Sequence, residues 1–257
     1  MRTLVLVNTL TAVNSSVYSN HIALWTHLKA AYPKNEFILY TPERSSIDNA
    51  RNNAAKMALN LGCDYLLFID DDVLVHPSSV KKLIDADQDI IAGLVIIRGY
   101  PFNLMIFRDT EGKQDGKLVK GLDFWKAEDI EVDDDGKPVP KVIQCGAVGF
   151  SLCLIKTSIL KVVKPPFFVT GTFNTEDVYF CEKYRVAMNN RGETPSIAFH
   201  TGVLPGHILP GEAVEFQTRQ KFLDFYKPLV NENNAKKINR NLLYVEGALK
   251  NIEKVSV

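Results

Sequence analysis

The stretch YLLFIDDDVLVHP, residues 65 to 77, runs an apolar segment into Asp70, Asp71 and Asp72 and then returns to Val73, Leu74 and Val75. If Asp70 and Asp72 are still extended, the two-residue period of a strand sets both carboxylates on one face and Asp71 on the other. Two carboxylates so close repel each other and raise one pKa unless a cation or hydrogen bonds compensate. A divalent metal would resolve the conflict. Hard oxygen ligands favour Mg²⁺ or Mn²⁺, which take one or two protein carboxylates and fill the other positions with water and substrate phosphates. The pattern therefore predicts a diphosphate-bearing ligand beside Asp70 and Asp72. A plainer reading, in which Asp71 and Asp72 cap the loop before Pro77, stands beside it.

Other groups with chemical potential lie on either side. Arg51 falls in the first turns of a helical segment leading to this strand, where its planar fork and fixed charge suit diphosphate oxygens. It could equally be a surface residue that bonds Asp48 or the preceding loop. Glu176 and Asp177 open a helical segment, a place where acids are favoured by the helix dipole and by capping without any catalysis. Their lead-in, PPFFVTGTFNTED, is apolar and contains a glycine, and could deliver that helix N-terminus into a cleft. His207, in LPGHILPG, is flanked by the glycines and prolines of a mobile loop. A nitrogen ligand from it would tilt the metal choice toward Mn²⁺, and His200 competes for the same role. A second acidic run, Asp133-Asp134-Asp135-Gly136, reads as an exposed turn, since Lys137 and Pro138 follow it and no apolar strand adjoins it.

The elements that must position these residues follow from periodicity. TLVLVNT (3 to 9) and EFILYT (36 to 41) read as strands, with a helix around His21 to Ala31 between them. SSIDNARNNAAKMALNLG places Ser45 and Ser46 as N-cap candidates, apolar spacing from Ile47 to Leu61 and Gly62 as the stop. With DYLLFID as the third strand, the chain alternates strand and helix, which predicts a mostly parallel α/β sheet with ligands at the carboxyl ends of its strands. Beyond Pro77 the expectation is a short helix through Leu83, then strands over 90–97 and 103–107. A hairpin over 125–144 turning at DDDGKP follows, then a strand and short helix in GFSLCLIKTSILKVV, and a helix ended by Gly192. Residues 212–257 read as a C-terminal helical extension.

Composition narrows the function classes. A chain of 257 residues, 46% hydrophobic and 23% charged, has the size and make-up of one large α/β domain or two small ones. Lys+Arg and Asp+Glu are both 30, so no global field recruits nucleic acid or an anionic membrane. The apolar start after Met1-Arg2 is too short for a signal peptide, and no transmembrane run of about 18 residues occurs. A cytoplasmic location is expected. Cys63, Cys145, Cys153 and Cys181 lack CxxC spacing and read as buried free thiols.

Taken in order, Ala50-Arg51-Asn52, the stretch Gly62 to Asp72 and the pair Glu176-Asp177 resemble the glycosyltransferases of the GT-A fold, especially the large inverting family two, over roughly residues 36 to 208. The stretch around GYPF resembles compact phage and bacterial transferases. The resemblance implies a Rossmann-like nucleotide-diphospho-sugar transferase fold over 1–211, with a donor-binding half to about residue 110 and an acceptor-side half after it. It implies that Asp72 binds the metal and that Asp70 contacts the ribose or the metal through water. Asn8 and Thr9, with the loop Thr41 to Arg44, would hold the nucleobase, while Arg51 and Asp71 complete the donor-binding candidates. Asp177 would be the general base that deprotonates the acceptor hydroxyl, with Glu176 orienting acceptor or helix. His207, 30 positions past Asp177, would be the third metal ligand.

The expected function is metal-dependent transfer of a sugar from a nucleotide-diphosphate sugar to an acceptor hydroxyl, with inversion, using Mn²⁺ or Mg²⁺. The acceptor is a glycan or a modified DNA base, with Arg98, Tyr100 and Trp125 as contacts. Two rivals are a metal-dependent nucleotidyltransferase or phosphohydrolase, which would want further carboxylates for a second metal, and a non-catalytic sugar-nucleotide or glycan-binding module.

Overall fold

The computed structural model describes residues 1–9, 13–42, 44–114, 117–171, 175–209 and 212–226. The first part alternates as expected: β1 (Arg2–Asn8), α1 (Ser15–Ala31), β2 (Glu36–Tyr40), α2 (Ile47–Asn60) and β3 (Tyr65–Asp70). Short β4 (Val73–Leu74), α3 (Ser79–Asp85) and β5 (Ile90–Gly93) follow. Next come β6 (Ile106–Gln114), β7 (Lys117–Phe124), β8 (Val142–Gln144), β9 (Ala147–Val148) and β10 (Leu152–Lys156). The last elements are α4 (Glu176–Asn189), β11 (Ile197–His200), β12 (Gly206–Leu209), β13 (Glu212–Val214) and α5 (Arg219–Tyr226).

Seven strands form the central sheet in the order β2-β1-β3-β10-β5-β11-β8. The pairings set β2, β1, β3, β5 and β11 in one direction, with β10 and β8 running against them. The sheet is thus mostly parallel in strand direction, and its core strands are covered on both faces, which is why they read as unbroken apolar runs. Leu4, Leu6, Leu66 and Phe68 enter one core with the alanines of α2, while Val5, Val7, Leu67 and Ile69 enter the other with Leu24 and Leu28 of α1. The buried face of α2 is Ala50, Arg51, Ala54, Ala55 and Ala58. Small side chains let this helix lie close on the sheet, and the one long side chain among them is carried inward.

Several expectations are corrected. The strand over 90–97 ends at Gly93, where a Cβ would meet Val203 Cγ1 at 2.9 Å and Pro205 Cδ at 3.1 Å, so the chain bends away beneath the loop that carries His207. The strand over 103–107 begins only at Ile106. The hairpin expected over 125–144 is reduced to an isolated antiparallel bridge, Val132↔Pro138, around DDDGKP, and the extended hairpin is β6 with β7, paired from Phe107↔Phe124 to Gln114↔Lys117, with an Asp-Gly turn signal at 115–116 in the sequence between them. DDDGKP is an exposed turn, closed by Asp133 N–H to Lys137 O at 2.8 Å with Gly136 at φ 73°. Residues 212–214 are strand rather than helix, and residues 227–257 of the expected C-terminal extension lie outside the described residues. Among the described residues no helix is long and apolar enough to cross a membrane.

Two features bring distant segments to one edge. β12 pairs with β4, His207 opposite Val73, and Ile208 N–H donates to Asp72 O at 2.8 Å, so the loop after the aspartates is sewn to the strand that carries His207. From the opposite face, α1 reaches the same place: Asn20 accepts from Val75 N–H at 2.7 Å and donates to Val75 O at 3.1 Å, and His21 Nε2 stands 3.2 Å from Val73 O.

Candidate functional site

Asn8 and Asp70 are register partners at the carboxyl ends of β1 and β3. Asn8 is buried, and its Oδ1 has no hydrogen-bond partner in the protein. A buried amide oxygen left so is costly unless water or ligand meets it. Asp70 is held from two sides: Ser151 Oγ–H donates to Oδ2 at 2.6 Å, and Arg51 Nη2 lies 3.4 Å from Oδ1. Burial outweighs both partners and holds the Asp70 carboxyl above its usual range.

Arg51 does not face solvent. Its side chain is 3% exposed and its guanidinium carbon lies 5.4 Å from the ring centre of Phe68 and 5.5 Å from that of Phe150. Nη1 donates to Glu176 Oε1 and Nη2 approaches Asp70, so one fork joins the end of β3 to the start of α4. The surface pairing with Asp48 weighed from the sequence is not formed. Its neighbour Asn52 fastens the same junction: Oδ1 accepts from Phe167 and Phe168 N–H at 2.8 and 3.2 Å, and Nδ2 donates to Phe168 O at 2.6 Å. Every hydrogen-bonding side of Asn52 toward this segment is used, and the lead-in to α4 is thereby placed against α2.

Glu176 and Asp177 are both buried at the first turn of α4. Burial raises the Glu176 carboxyl, the Arg51 charge opposes that, and the neighbouring Asp177 adds to it, with a net rise. Asp177 Oδ1 accepts from Val178 N–H at 2.8 Å and from the Thr175 hydroxyl. Phe173 and Asn174, at the end of the lead-in to this pair, lie outside the described residues.

The strand ends at Asp70, so Asp71 and Asp72 sit in a turn and the two-residue period does not extend to them. Asp72 is divided between two partners: Oδ1 lies 3.2 Å from His207 Nε2 and Oδ2 lies 2.7 Å from Arg98 Nη1. Burial would raise its pKa, but the hydrogen bond and charge of His207 and the charge of Arg98 prevail and lower it. The repulsion expected of the aspartate run is therefore met by cations of the protein: Arg51 on Asp70, Arg98 and His207 on Asp72. Asp71 is half-buried between them.

His207 is buried, with Nδ1 at 2.9 Å from Ile96 O. Facing a carbonyl, Nδ1 must donate, which leaves Nε2 of the neutral ring as an acceptor opposite a carboxylate oxygen. A proton or a cation between the two removes that conflict. An imidazole fixed by a backbone carbonyl through its other nitrogen is the usual setting of a metal-ligating histidine. Asp72 and His207 thus fit an Mn²⁺ or Mg²⁺ site, the nitrogen favouring Mn²⁺. Among the described residues no group of three His, Cys, Asp or Glu side chains that could hold a metal ion is found. His200 turns elsewhere: its Nδ1 accepts from Gly202 N–H at 3.0 Å, and burial together with Lys82 lowers its pKa.

A cavity of about 570 Å³ opens beside Thr9, lined by Tyr18, His21, Trp25, Thr41 and Arg44 among others. It lies between the ends of β1 and β2, the place expected for a nucleobase. Leu10 and Glu43 of that region are outside the described residues. Sequence reasoning missed Ser151, the sandwich of Arg51 between two phenyl rings, the role of Asn52 and the contact of Arg98 with Asp72. Arg98 and Asn52 stood in stretches singled out for the resemblance or as contacts, whereas Phe150 and Ser151 stood in one read only as strand and short helix.

The family model described as glycosyl transferase family 2 matches residues 24–144, the span from α1 to β8 that includes Arg51 and all three aspartates. No curated protein matches the sequence. Among solved structures, the crystal structure of A197 from STIV is 17% identical, covering 84% of this chain and 91% of that one, with a TM-score of 0.53. GalNAc-T7 with UDP, GalNAc and Mn²⁺ is 12% identical over 81% of this chain and 44% of that one, TM-score 0.42. S. aureus TarS 1–349 is 14% identical over 96% and 73%, TM-score 0.39. The last two are distant likenesses and nothing further is built on them. The family match over residues 24–144, just under half of the chain, on a sheet whose strand ends gather the aspartates, gives the chain a glycosyl transferase family 2 region and supports a glycosyltransferase of the GT-A fold.

Proposed function

We propose that this glycosyltransferase moves a sugar from a nucleotide-diphosphate donor to an acceptor hydroxyl, with inversion and with a divalent cation at Asp72 and His207. The observation that carries the reading is the His207 ring: one nitrogen is committed to Ile96 O, and the other is aimed at Asp72. When bound, the cation offsets charge developing on the leaving diphosphate. The chain supplies the rest. Asn8 Oδ1 and the cavity beside Thr9 receive the nucleoside, Asp70 meets the ribose or a metal-bound water, and Asp177 takes the proton of the attacking hydroxyl. Glu176, fixed by Arg51, sets the angle at which α4 presents Asp177.

The test is a thermal-shift screen of nucleotide sugars with and without Mn²⁺. At least one donor is expected to stabilise the protein only when Mn²⁺ is present, and Asp72→Ala should abolish that dependence. Stabilisation by no donor in any metal would overturn the reading. The aspartates should also be unequal. Asp72→Asn removes half of the contact to His207 and Arg98, whereas Asp71 stands outside that pair, so Asp71→Asn should retain far more donor binding. Equal losses in a side-by-side titration would contradict the assignment.

A further inference from the structure

Asp72 is enclosed asymmetrically. On its inner side stands His207, 8% exposed, and on its outer side Arg98, 46% exposed, each on a different carboxylate oxygen. Arg98 Nη1 at 2.7 Å from Oδ2 takes up an oxygen that a cation held by Asp72 could also use. The loop that carries it is set back from the sheet by the bend after Gly93 and is tied down at its far end. Phe102, at φ 55°, accepts from Arg219 Nε at 2.6 Å through its carbonyl and packs on Phe222 with ring centres 5.7 Å apart. Between these fixed ends the Arg98 side chain is long and half-exposed, and its ion pair is with one Asp72 oxygen.

We propose that Arg98 is a latch that competes with the divalent cation for Asp72 Oδ2. In the cation-free protein the guanidinium supplies positive charge to Asp72, and it must leave Oδ2 before that oxygen can enter a coordination shell. The competition keeps cation affinity low until a ligand arrives that gains from both charges. This inference rests on the placement of the cation at Asp72 and His207 proposed above, and its test separates the two.

The experiment is a titration of Mn²⁺ alone, by calorimetry or water-proton relaxation, into the wild-type chain, Arg98→Gln and Asp72→Asn, with no nucleotide present. Arg98→Gln is expected to bind Mn²⁺ at least about threefold more tightly than wild type, the scale set by a half-exposed ion pair. Asp72→Asn is expected to lose binding. Equal or weaker binding by Arg98→Gln, with binding still lost in Asp72→Asn, overturns the latch and leaves the cation site standing. Binding that Asp72→Asn does not alter, or no Mn²⁺ binding by any of the three, overturns the site and the latch with it.

Discussion

Asp177→Asn should lower turnover by about 10²–10⁴-fold, the range for loss of a positioned general base, while donor affinity stays within about twofold because Asp177 is not assigned to the donor. The substitution is unusually clean at this position. Asp177 Oδ1 accepts from Val178 N–H and the Thr175 hydroxyl. An asparagine carbonyl can accept both of these bonds, so the first turn of α4 keeps its cap and only the ionisable group is lost. Release of nucleoside diphosphate from whichever donor the thermal-shift screen selects gives the rate, and calorimetry on the same donor gives the affinity. Turnover at the wild-type rate would mean that another group takes the proton.

The largest effect on stability should come from Arg51→Met. Methionine keeps the length and apolar body that fit between Phe68 and Phe150, so the change isolates the charge. Glu176 and Asp70 are then left without their shared cation in surroundings whose burial already raises both carboxyls. Removing one partner of a buried pair destabilises by about 3–5 kcal/mol. Denaturant unfolding would measure it, and adding Glu176→Gln to Arg51→Met should recover part of the loss, since the contacting residues are not additive. A single variant within about 1 kcal/mol of wild type would show that the network does not hold α4 to the sheet.

The contrast between these two residues shows what was legible in the sequence. Alternating strands and helices up to Asp70, the position of α2 and the placing of the acids at the start of α4 all follow from periodicity and cap chemistry, which are local. The separation of 30 between Asp177 and His207 singled out a histidine that does lie against Asp72, and the pairing of β12 with β4 brings residue 207 back to the aspartates. Arg51 was visible as an important arginine, but its partners were not. Phe150 and Glu176 are about 100 or more residues away in sequence, and no local rule reports which buried carboxylates an inward arginine will meet. The same holds for Asn52, which reads as an ordinary polar helix residue until the chain at Phe167 and Phe168 folds onto it. The hairpin of β6 and β7 was missed for a different reason: two Asp-Gly turn signals compete between residues 106 and 144, and the more acidic one drew the assignment.

The bonds from Asn20 and His21 to the strand after the aspartates set a limit on how this enzyme can adapt. The same stretch of α1 that lines the cavity beside Thr9, with Tyr18, His21 and Trp25, also holds Val73 and Val75. One wall of the cavity and the floor beneath Asp72 are therefore a single rigid piece. If that cavity receives the base, as proposed, room for a bulkier one cannot be made by shifting α1 without disturbing the strand after the aspartates, which leaves the opposite wall, Thr41, Pro42 and Arg44, to set nucleotide preference.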